Sequence, residues 1–167
     1  MKYLYFLRHG IAVLKGTPGY TDDERPLTEE GIDKMQKSTK GIKRLVENFD
    51  IILTSPLRRA HDTAIIAAKC MECENKVEVV KILEPGCKPK EFVGLISKYS
   101  DKEHILVVGH EPDFSTIISE LIGAQRTVVS IKKGALCRVD LDSIPPKEPG
   151  KVAWLLQPKI LRTAGKK

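Results

Sequence analysis

Three short apolar runs, none interrupted by a polar residue, constrain the fold of this chain more than any other feature of its sequence. They occupy residues 3–7, 51–53 and 105–108. Continuous apolar segments of this length are typical of strands covered on both faces, as in a parallel sheet. Apolar residues recur at helical spacing between and beyond these runs, over residues 32–49, 57–68, 92–99 and 114–122. The alternation predicts an α/β fold with a parallel core.

The rest of the chain extends this sheet. Further strands are predicted at residues 77–82, 135–141 and 152–156, and the segment 143–150, with three prolines, reads as a turn between the last two. A terminal hairpin on a parallel core indicates a three-layer α/β/α sandwich with a mostly parallel mixed central sheet. We expect one domain over residues 1–167, with 158–167 as a loosely ordered basic tail.

Composition excludes several classes of function. The chain has 28 basic and 22 acidic residues, a net charge of +6, but the charges are scattered and lack the aromatic interleaving of a nucleic-acid surface. No apolar run is long enough to span a membrane. The N-terminal run lacks a small-residue cleavage site, so it reads as a strand rather than a signal peptide. We expect a cytoplasmic monomer that binds neither nucleic acid nor membrane.

The four cysteines do not predict a metal or redox site. Cys70 and Cys73 have the spacing of a zinc half-site, but Cys87 and Cys137 do not supply a matching second pair. A redox pair is expected at the start of a helix, whereas this pair ends one. We therefore expect reduced thiols and no metal or other cofactor.

Three segments place chemically active side chains where strands end. They are RHG at 8–10, TSPLRRA at 54–60 and GHEP at 109–112. The carboxyl ends of parallel strands lie on one edge of a sheet, where ligands of α/β proteins bind. Two histidines and two arginines could therefore surround one point, and the planar fork of arginine matches phosphate oxygens. A helix N-terminus nearby also favours an anion. This pattern indicates a phosphoryl-binding site.

The same segments resemble the signatures of the histidine phosphatase superfamily, which includes phosphoglycerate mutases. The signatures are LRHG at 7–10, SPLRRA at 55–60 followed by TA at 63–64, and GH at 109–110. Within the superfamily, the chain is similar to the small SixA-type phosphohistidine phosphatases. Its short length, RPLTEEG at 25–31, GHEP at 109–112 and WLLQP at 154–158 carry that similarity, which spans almost the whole chain.

The resemblance implies a covalent mechanism that needs no metal. His9 would attack phosphorus through one ring nitrogen, and water would release phosphate from the phosphorylated histidine. Arg8 and Arg58 would bind the phosphoryl oxygens, and His110 would stabilise the charge of transfer. Arg25 could also reach the substrate or serve packing.

The general acid is the least determined role. Many relatives use a carboxylate after a middle strand, and Glu84 is the candidate here, although it could equally be a loop residue. Glu111, beside His110, is an alternative candidate for the acid, but we favour a role for it in the turn. A phosphorylated imidazole leaves more easily than an alkoxide and needs less acid help. Arg59 is expected at the surface or in a salt bridge, and Ser55 in a structural role.

Together with the phosphoryl-binding pattern, the resemblance implies a phosphatase that hydrolyses phosphohistidine, in a protein or free. One alternative is a broad-specificity phosphomonoesterase acting on small phosphorylated metabolites. A different class is a noncatalytic module that binds phosphoproteins, which the presence of both histidines disfavours. A mutase is disfavoured because it must hold its phosphorylated intermediate away from water, and the short chain lacks insertions that could do so.

Overall fold

A computed structural model describes residues 1–166, in which six strands form one sheet between two layers of helices. The sheet comprises β1 Lys2–Arg8, β2 Ile51–Thr54, β3 Val77–Val79, β4 His104–Gly109, β5 Leu136–Leu141 and β6 Lys151–Leu156. The α-helices are α1 Glu29–Leu45, α2 Arg58–Cys70, α3 Pro89–Ile96, α4 Asp113–Leu121 and α5 Pro158–Ala164. None of the helices within these residues is long and apolar enough to cross a membrane.

The strand order is β3-β2-β4-β1-β5-β6, and only β5 runs against the other five. Successive residues of a strand face opposite sides of the sheet. Leu4 and Phe6 of β1 therefore pack with α3 and α4, whereas Tyr5 and Leu7 pack with α1, α2 and α5. This arrangement confirms the predicted three-layer sandwich with a mostly parallel mixed sheet.

Helix α1 begins where its sequence predicts but ends earlier than the helical spacing of its apolar residues predicts. The Thr28 hydroxyl accepts a hydrogen bond from the Gly31 amide at 3.0 Å, and glutamates occupy the first turn. The helix ends at Leu45 because Val46 is extended. Phe49, which continues the helical spacing, reaches the core from the following loop.

The prediction of a loosely ordered tail is wrong for residues 158–164, which form α5. The helix begins at Pro158, and its Leu161 is fully buried against the layer containing α1. A Cβ atom built on Gly41 would lie 2.0 Å from the Leu161 carbonyl oxygen, so the two backbones meet where α1 has no side chain. Residue 167 lies outside the described part of the chain.

The three predicted active segments do converge at one edge of the sheet. Arg8, the last residue of β1, pairs with Gly109, the last residue of β4. The His9 amide donates to the Gly109 carbonyl at 3.1 Å, and the Ser55 amide donates to the Val108 carbonyl at 3.1 Å. The ends of β1, β2 and β4 therefore hold the residues that follow them close together.

Candidate active site

A cavity of about 260 Å³ opens at this edge of the sheet. It is lined by residues from the ends of β1 and β4, from the first turn of α2, and from loops on either side of them. The lining comprises Arg8, His9, Lys15, Asp22, Arg25, Arg59, Pro85, His110, Glu111 and Lys133. Five cations against two carboxylates make this cavity suited to an anion.

His9 is buried in this cavity in one defined orientation. His9 is only 6% exposed, and its Nδ1 lies 2.7 Å from the Gly10 carbonyl oxygen. A carbonyl only accepts, so Nδ1 carries the hydrogen and Nε2 keeps a free electron pair. Burial is the main cause that lowers the pKa of His9, to about 3. The hydrogen bond to Gly10 acts in the opposite direction, and the charges of His110 and the nearby arginines lower the pKa further. His9 is therefore a neutral imidazole with Nε2 available as a nucleophile.

His110 lies beside His9, with ring centroids 5.3 Å apart. Its Nε2 is 2.8 Å from the Ser55 hydroxyl, which also accepts a hydrogen bond from the Leu57 amide at 3.3 Å. The hydroxyl can donate its own hydrogen to Nε2, so that Nδ1 bears the ring hydrogen. Burial, then the charge of Arg59, lowers the pKa of His110 to about 3. His110 is thus placed as a neutral donor.

The structure places Arg59 of α2 in the cavity lining rather than the predicted Arg58. Arg58 lies outside the cavity, with a side chain 55% exposed, and its nearest acidic partner is Asp62 at 3.7 Å. Arg59, expected at the surface, is only 4% exposed and lines the cavity. It donates to the Asp22 carbonyl oxygen at 2.8 Å and lies 3.5 Å from the Asp22 carboxylate.

The helical phase of α2 carried the signal for this assignment. Its buried residues include Ala60, Ala64 and Ala67 on one side, and Arg59 and Thr63 are adjacent to them one turn apart. The Thr63 hydroxyl links this face of α2 to the loop after β1, since it donates to the Arg59 carbonyl and accepts from the Gly10 amide. Residue 59 therefore starts the buried stripe, and residue 58 faces solvent.

Arg8 and Arg25, both predicted, line the cavity as well. Arg8 is held by a hydrogen bond from Nη1 to the Ile131 carbonyl oxygen at 2.9 Å. Arg25 donates to the Val13 carbonyl at 2.7 Å and to the Asp22 carboxylate at 2.9 Å. Burial opposes ionisation of Asp22, but Arg59 and Arg25 outweigh it and lower the pKa of Asp22. Asp22 therefore stays charged and orients two arginines.

The structure does not bring Glu84 into the cavity lining. Glu84 follows the short helical turn Lys81–Leu83, and the neighbouring Pro85 contributes to the lining instead. Glu111 does line the cavity: its Oε2 accepts from the Ser115 hydroxyl at 2.6 Å, and its buried Oε1 has no hydrogen-bond partner within residues 1–166. Of the two carboxylates weighed from sequence, Glu111 is the one at the site.

Two lysines of the site were not identified from sequence. Lys15 and Lys133 come from loops, where no periodicity indicates which way a side chain faces. Burial and then the charges of Arg8, Arg25 and Arg59 lower the pKa of Lys133. Its proximity to three arginines marks a strong local positive potential.

Unpaired polar atoms in the cavity also point to an anionic ligand. In the described chain, Arg8 Nε, Arg59 Nε and His110 Nδ1 are buried with no hydrogen-bond partner. Such atoms are costly unless something satisfies them. The residues that carry these three donors all line the cavity, so an oxyanion bound there is a candidate partner for them. No cluster of three or more potential metal ligands occurs among residues 1–166.

Comparison with known proteins shows which family this chain resembles. The model of the histidine phosphatase superfamily (branch 1) matches residues 4–83. Phosphohistidine phosphatase SixA of Escherichia coli (strain K12) is 27% identical over 167 aligned residues, with 96% of this chain and 97% of the relative covered. The match thus extends over nearly the full length of both proteins.

Solved structures with the same fold include two phosphatases. A structure of the protein histidine phosphatase SixA with tungstate has a TM-score of 0.83 at 24% identity, covering 94% of this chain and 97% of the other. A phosphoserine phosphatase from Entamoeba histolytica, in complex with 3-phosphoglyceric acid, has a TM-score of 0.70 at 20% identity, covering 96% and 100%. At these sequence identities the structural likeness shows a shared fold and nothing more.

Proposed function

The chain belongs to the histidine phosphatase superfamily, within its SixA-type group, and from this membership we propose that it hydrolyses phosphohistidine in a protein or in free form. The observation that carries the proposal is the orientation of His9. Its buried neutral imidazole leaves Nε2 free in a cavity rich in arginine and lysine. The similarity to SixA of Escherichia coli, named as a phosphohistidine phosphatase, supports the choice of substrate.

The proposed reaction proceeds in two transfers. In the first, His9 Nε2 forms a bond to phosphorus while the P–N bond of the substrate breaks, and the leaving imidazole takes up a proton from solvent. In the second, water attacks phosphorus and gives one proton back to solvent, the bond to His9 breaks, and inorganic phosphate leaves with neutral His9 restored. Arg8 and Arg59 hold the phosphoryl oxygens, and His110 donates to one of them. These contacts act by positioning and electrostatics, which need no metal in this proposal.

We propose Glu111 rather than Glu84 as the proton donor for leaving groups that need one. It lines the cavity with a free oxygen, whereas Asp22 is committed to two arginines. Alkoxide leaving groups depend on such a donor more than imidazole does. Glu111→Gln should therefore slow a serine phosphate more than phosphohistidine, with Glu84→Gln as the control that leaves both rates near wild type. Equal slowing of both substrates by Glu111→Gln would remove it from this role.

A broad-specificity phosphomonoesterase is the second candidate. The structural likeness to a phosphoserine phosphatase favours it, because that protein's name assigns it a small phosphate ester. Both candidates share the same nucleophile and differ in the leaving group.

One experiment separates the two functions. A phosphohistidine protein, free phosphohistidine, phosphoserine and p-nitrophenyl phosphate are offered in parallel, with excess chelator throughout, and phosphate release is measured. The proposal expects the highest kcat/KM on a phosphohistidine substrate and loss of all turnover in His9→Ala. Full activity in His9→Ala would overturn the nucleophile, loss of turnover in chelator would overturn metal independence, and preference for the esters would select the second candidate.

A further inference from the structure

A second and larger cavity adjoins the candidate active site. Its volume is about 460 Å³, and it lies between α1, the loop of residues 132–134 and the start of α5. Arg8 and Lys133 line both cavities, so the two cavities adjoin at these side chains. The reaction described above makes no use of the second cavity.

The charges around this second cavity are all of one sign. No Asp or Glu is among the described residues that line it, and six lining residues are cationic: Arg8, Lys34, Lys132, Lys133, Lys159 and Arg162. Lys34 is paired with Glu30 of the same helix, which lies outside the lining. For Lys132, Lys133, Lys159 and Arg162 the part of the chain described here holds no ion pair. Unneutralised cations converging on a concave surface favour an anionic group there.

Two buried polar atoms without hydrogen-bond partners belong to residues that line this cavity. Ser38 of α1 is 1% exposed, and its hydroxyl has no hydrogen-bond partner within residues 1–166. The side-chain oxygen of Gln157, just before α5, is also buried without a donor. Both residues line the cavity. Polar groups that are buried in this way need a partner, and a bound ligand would supply it.

We propose that this second cavity is an anion subsite, which takes a carboxylate or second phosphate of the same substrate whose phosphoryl group faces His9. The proposal rests on the phosphatase function proposed above and narrows its substrate class to molecules with two anionic groups. Arg8 lines both cavities, so its side chain would lie between the two anions.

The remaining lining suits the carbon atoms between such groups. Ile11, Met35 and Pro158 provide apolar surface beside the cations, and Ser38 and Gln157 offer hydrogen bonds. A ligand site typically combines such apolar walls with a few polar contacts. Two sources share this chemistry: an acidic residue next to a phosphohistidine in a peptide, and a metabolite with two phosphates.

The test compares matched substrates on a variant of the subsite. The variant is Lys159→Gln/Arg162→Gln, and the control Lys90→Gln/Lys98→Gln removes the same charge from the other side of the sheet. One substrate pair is a short phosphohistidine peptide flanked by glutamate or by glutamine, and the other is fructose 1,6-bisphosphate and fructose 6-phosphate. p-Nitrophenyl phosphate, with a single anionic group, reports basal turnover.

Wild type should favour the more anionic member of at least one pair by about tenfold in kcat/KM. The expected preference is modest because the two cations are partly exposed to solvent. The subsite variant should lose this preference and keep its turnover of p-nitrophenyl phosphate, and the control should keep both. The pair that shows the preference identifies the source of the second anion. Equal kcat/KM within both pairs, or equal loss in variant and control, overturns the subsite.

A binding measurement distinguishes failure of the anion subsite from failure of the proposed phosphatase function. The same pairs are titrated into His9→Ala, which lacks the proposed nucleophile, with and without Lys159→Gln/Arg162→Gln. Tighter binding of the more anionic member, lost on adding the two substitutions, supports the subsite even where wild type turns over nothing. Absence of turnover by wild type on every substrate would overturn the proposed function, and equal binding within both pairs would overturn the subsite.

Discussion

Arg58 and Arg59 are adjacent in sequence and carry the same charge, but only Arg59 faces the cavity. They therefore form a matched pair for testing the site. Arg59→Gln should lower kcat/KM on any phosphoryl substrate by about a hundredfold or more, because it removes the buried charge that is proposed to contact the transferring group. Arg58→Gln should change kcat/KM by about twofold or less, as expected for an exposed charge.

The measurement is steady-state turnover of p-nitrophenyl phosphate together with the thermal midpoint of each variant. Stability has to be followed because Arg59 also contacts Asp22. A larger loss in Arg58→Gln than in Arg59→Gln, with both proteins folded, would return the phosphate-binding role to Arg58.

The two buried histidines should make stability depend on pH. Their pKa values are lowered to about 3 in the folded chain, mainly by burial, against about 6.5 when unfolded. Folding therefore favours the neutral rings. This contribution is complete above about pH 6.5 and is lost as the pH falls from there toward 3, because the unfolded chain takes up protons that the folded chain does not.

Urea unfolding of wild type and His9→Gln/His110→Gln at about pH 7 and about pH 4.5 tests this dependence. Between these values wild type should lose more stability than the double variant, by an amount on the order of 2 kcal/mol for each histidine. Carboxylates titrate in both proteins, so the comparison isolates the histidines. An equal loss in the two proteins would mean that the rings are not held neutral.

The sequence predicted the positions of the two histidines better than those of the groups around them. The positions of His9 and His110 follow from where β1 and β4 end, which the apolar runs indicate directly. The choice between Arg58 and Arg59 depended on the rotation of α2 by one residue, which its alanine stripe encodes. Glu111 and Lys133 depend on how loops pack at the sheet edge, and no local pattern of residues specifies that packing.

Among the elements, α5 depends most on a contact that is remote in sequence. Gly41→Ala should push α1 and α5 apart, since a Cβ atom would lie 2.0 Å from the Leu161 carbonyl oxygen. We expect a loss of roughly 1–3 kcal/mol in the free energy of unfolding, as is typical of overpacking. Gly94→Ala is the control within α3, where a Cβ atom meets nothing within 4 Å. It should stabilise by about 0.5–1 kcal/mol, because alanine has the higher helix propensity.

Chemical denaturation of the two variants beside wild type measures both effects. Opposite signs for two glycine-to-alanine changes in helices would show that α5 is docked in solution. If Gly41→Ala were as stable as Gly94→Ala, residues 158–164 would not be held against α1.

The elements differ in how far local sequence specifies them. The central strands and the start of α1 carry their own signals, in continuous apolar runs and a threonine cap. Strand β3 ends at Val79 although further apolar residues occur as far as Leu83, because the chain turns there and buries Leu83 in a short helical turn. Helix α5 was missed because its charged residues suggest a tail, and only Leu161 with its partner on α1 shows otherwise.

For the whole molecule, the cavity joins parts of the chain that local structure leaves separate. It contacts the ends of β1 and β4, the start of α2, and the loops that contain Asp22 and Lys133. A ligand that binds only when these parts are assembled stabilises the folded state, by an amount that grows with the logarithm of its concentration. Tungstate is a suitable probe because it is a tetrahedral oxyanion and is the ligand in the SixA structure of the same fold.

Tungstate should raise the thermal midpoint of wild type progressively with concentration. At about a hundredfold excess over its dissociation constant, the gain in stability is about 2.7 kcal/mol. For a domain of this size that corresponds to a shift of roughly 5–10 °C. Arg58→Gln should keep the shift and Arg59→Gln should lose most of it, because Arg59 lines the cavity and Arg58 does not. An equal shift in both variants would place the oxyanion elsewhere on this basic protein, and the assignment of the cavity as a phosphoryl site would fail.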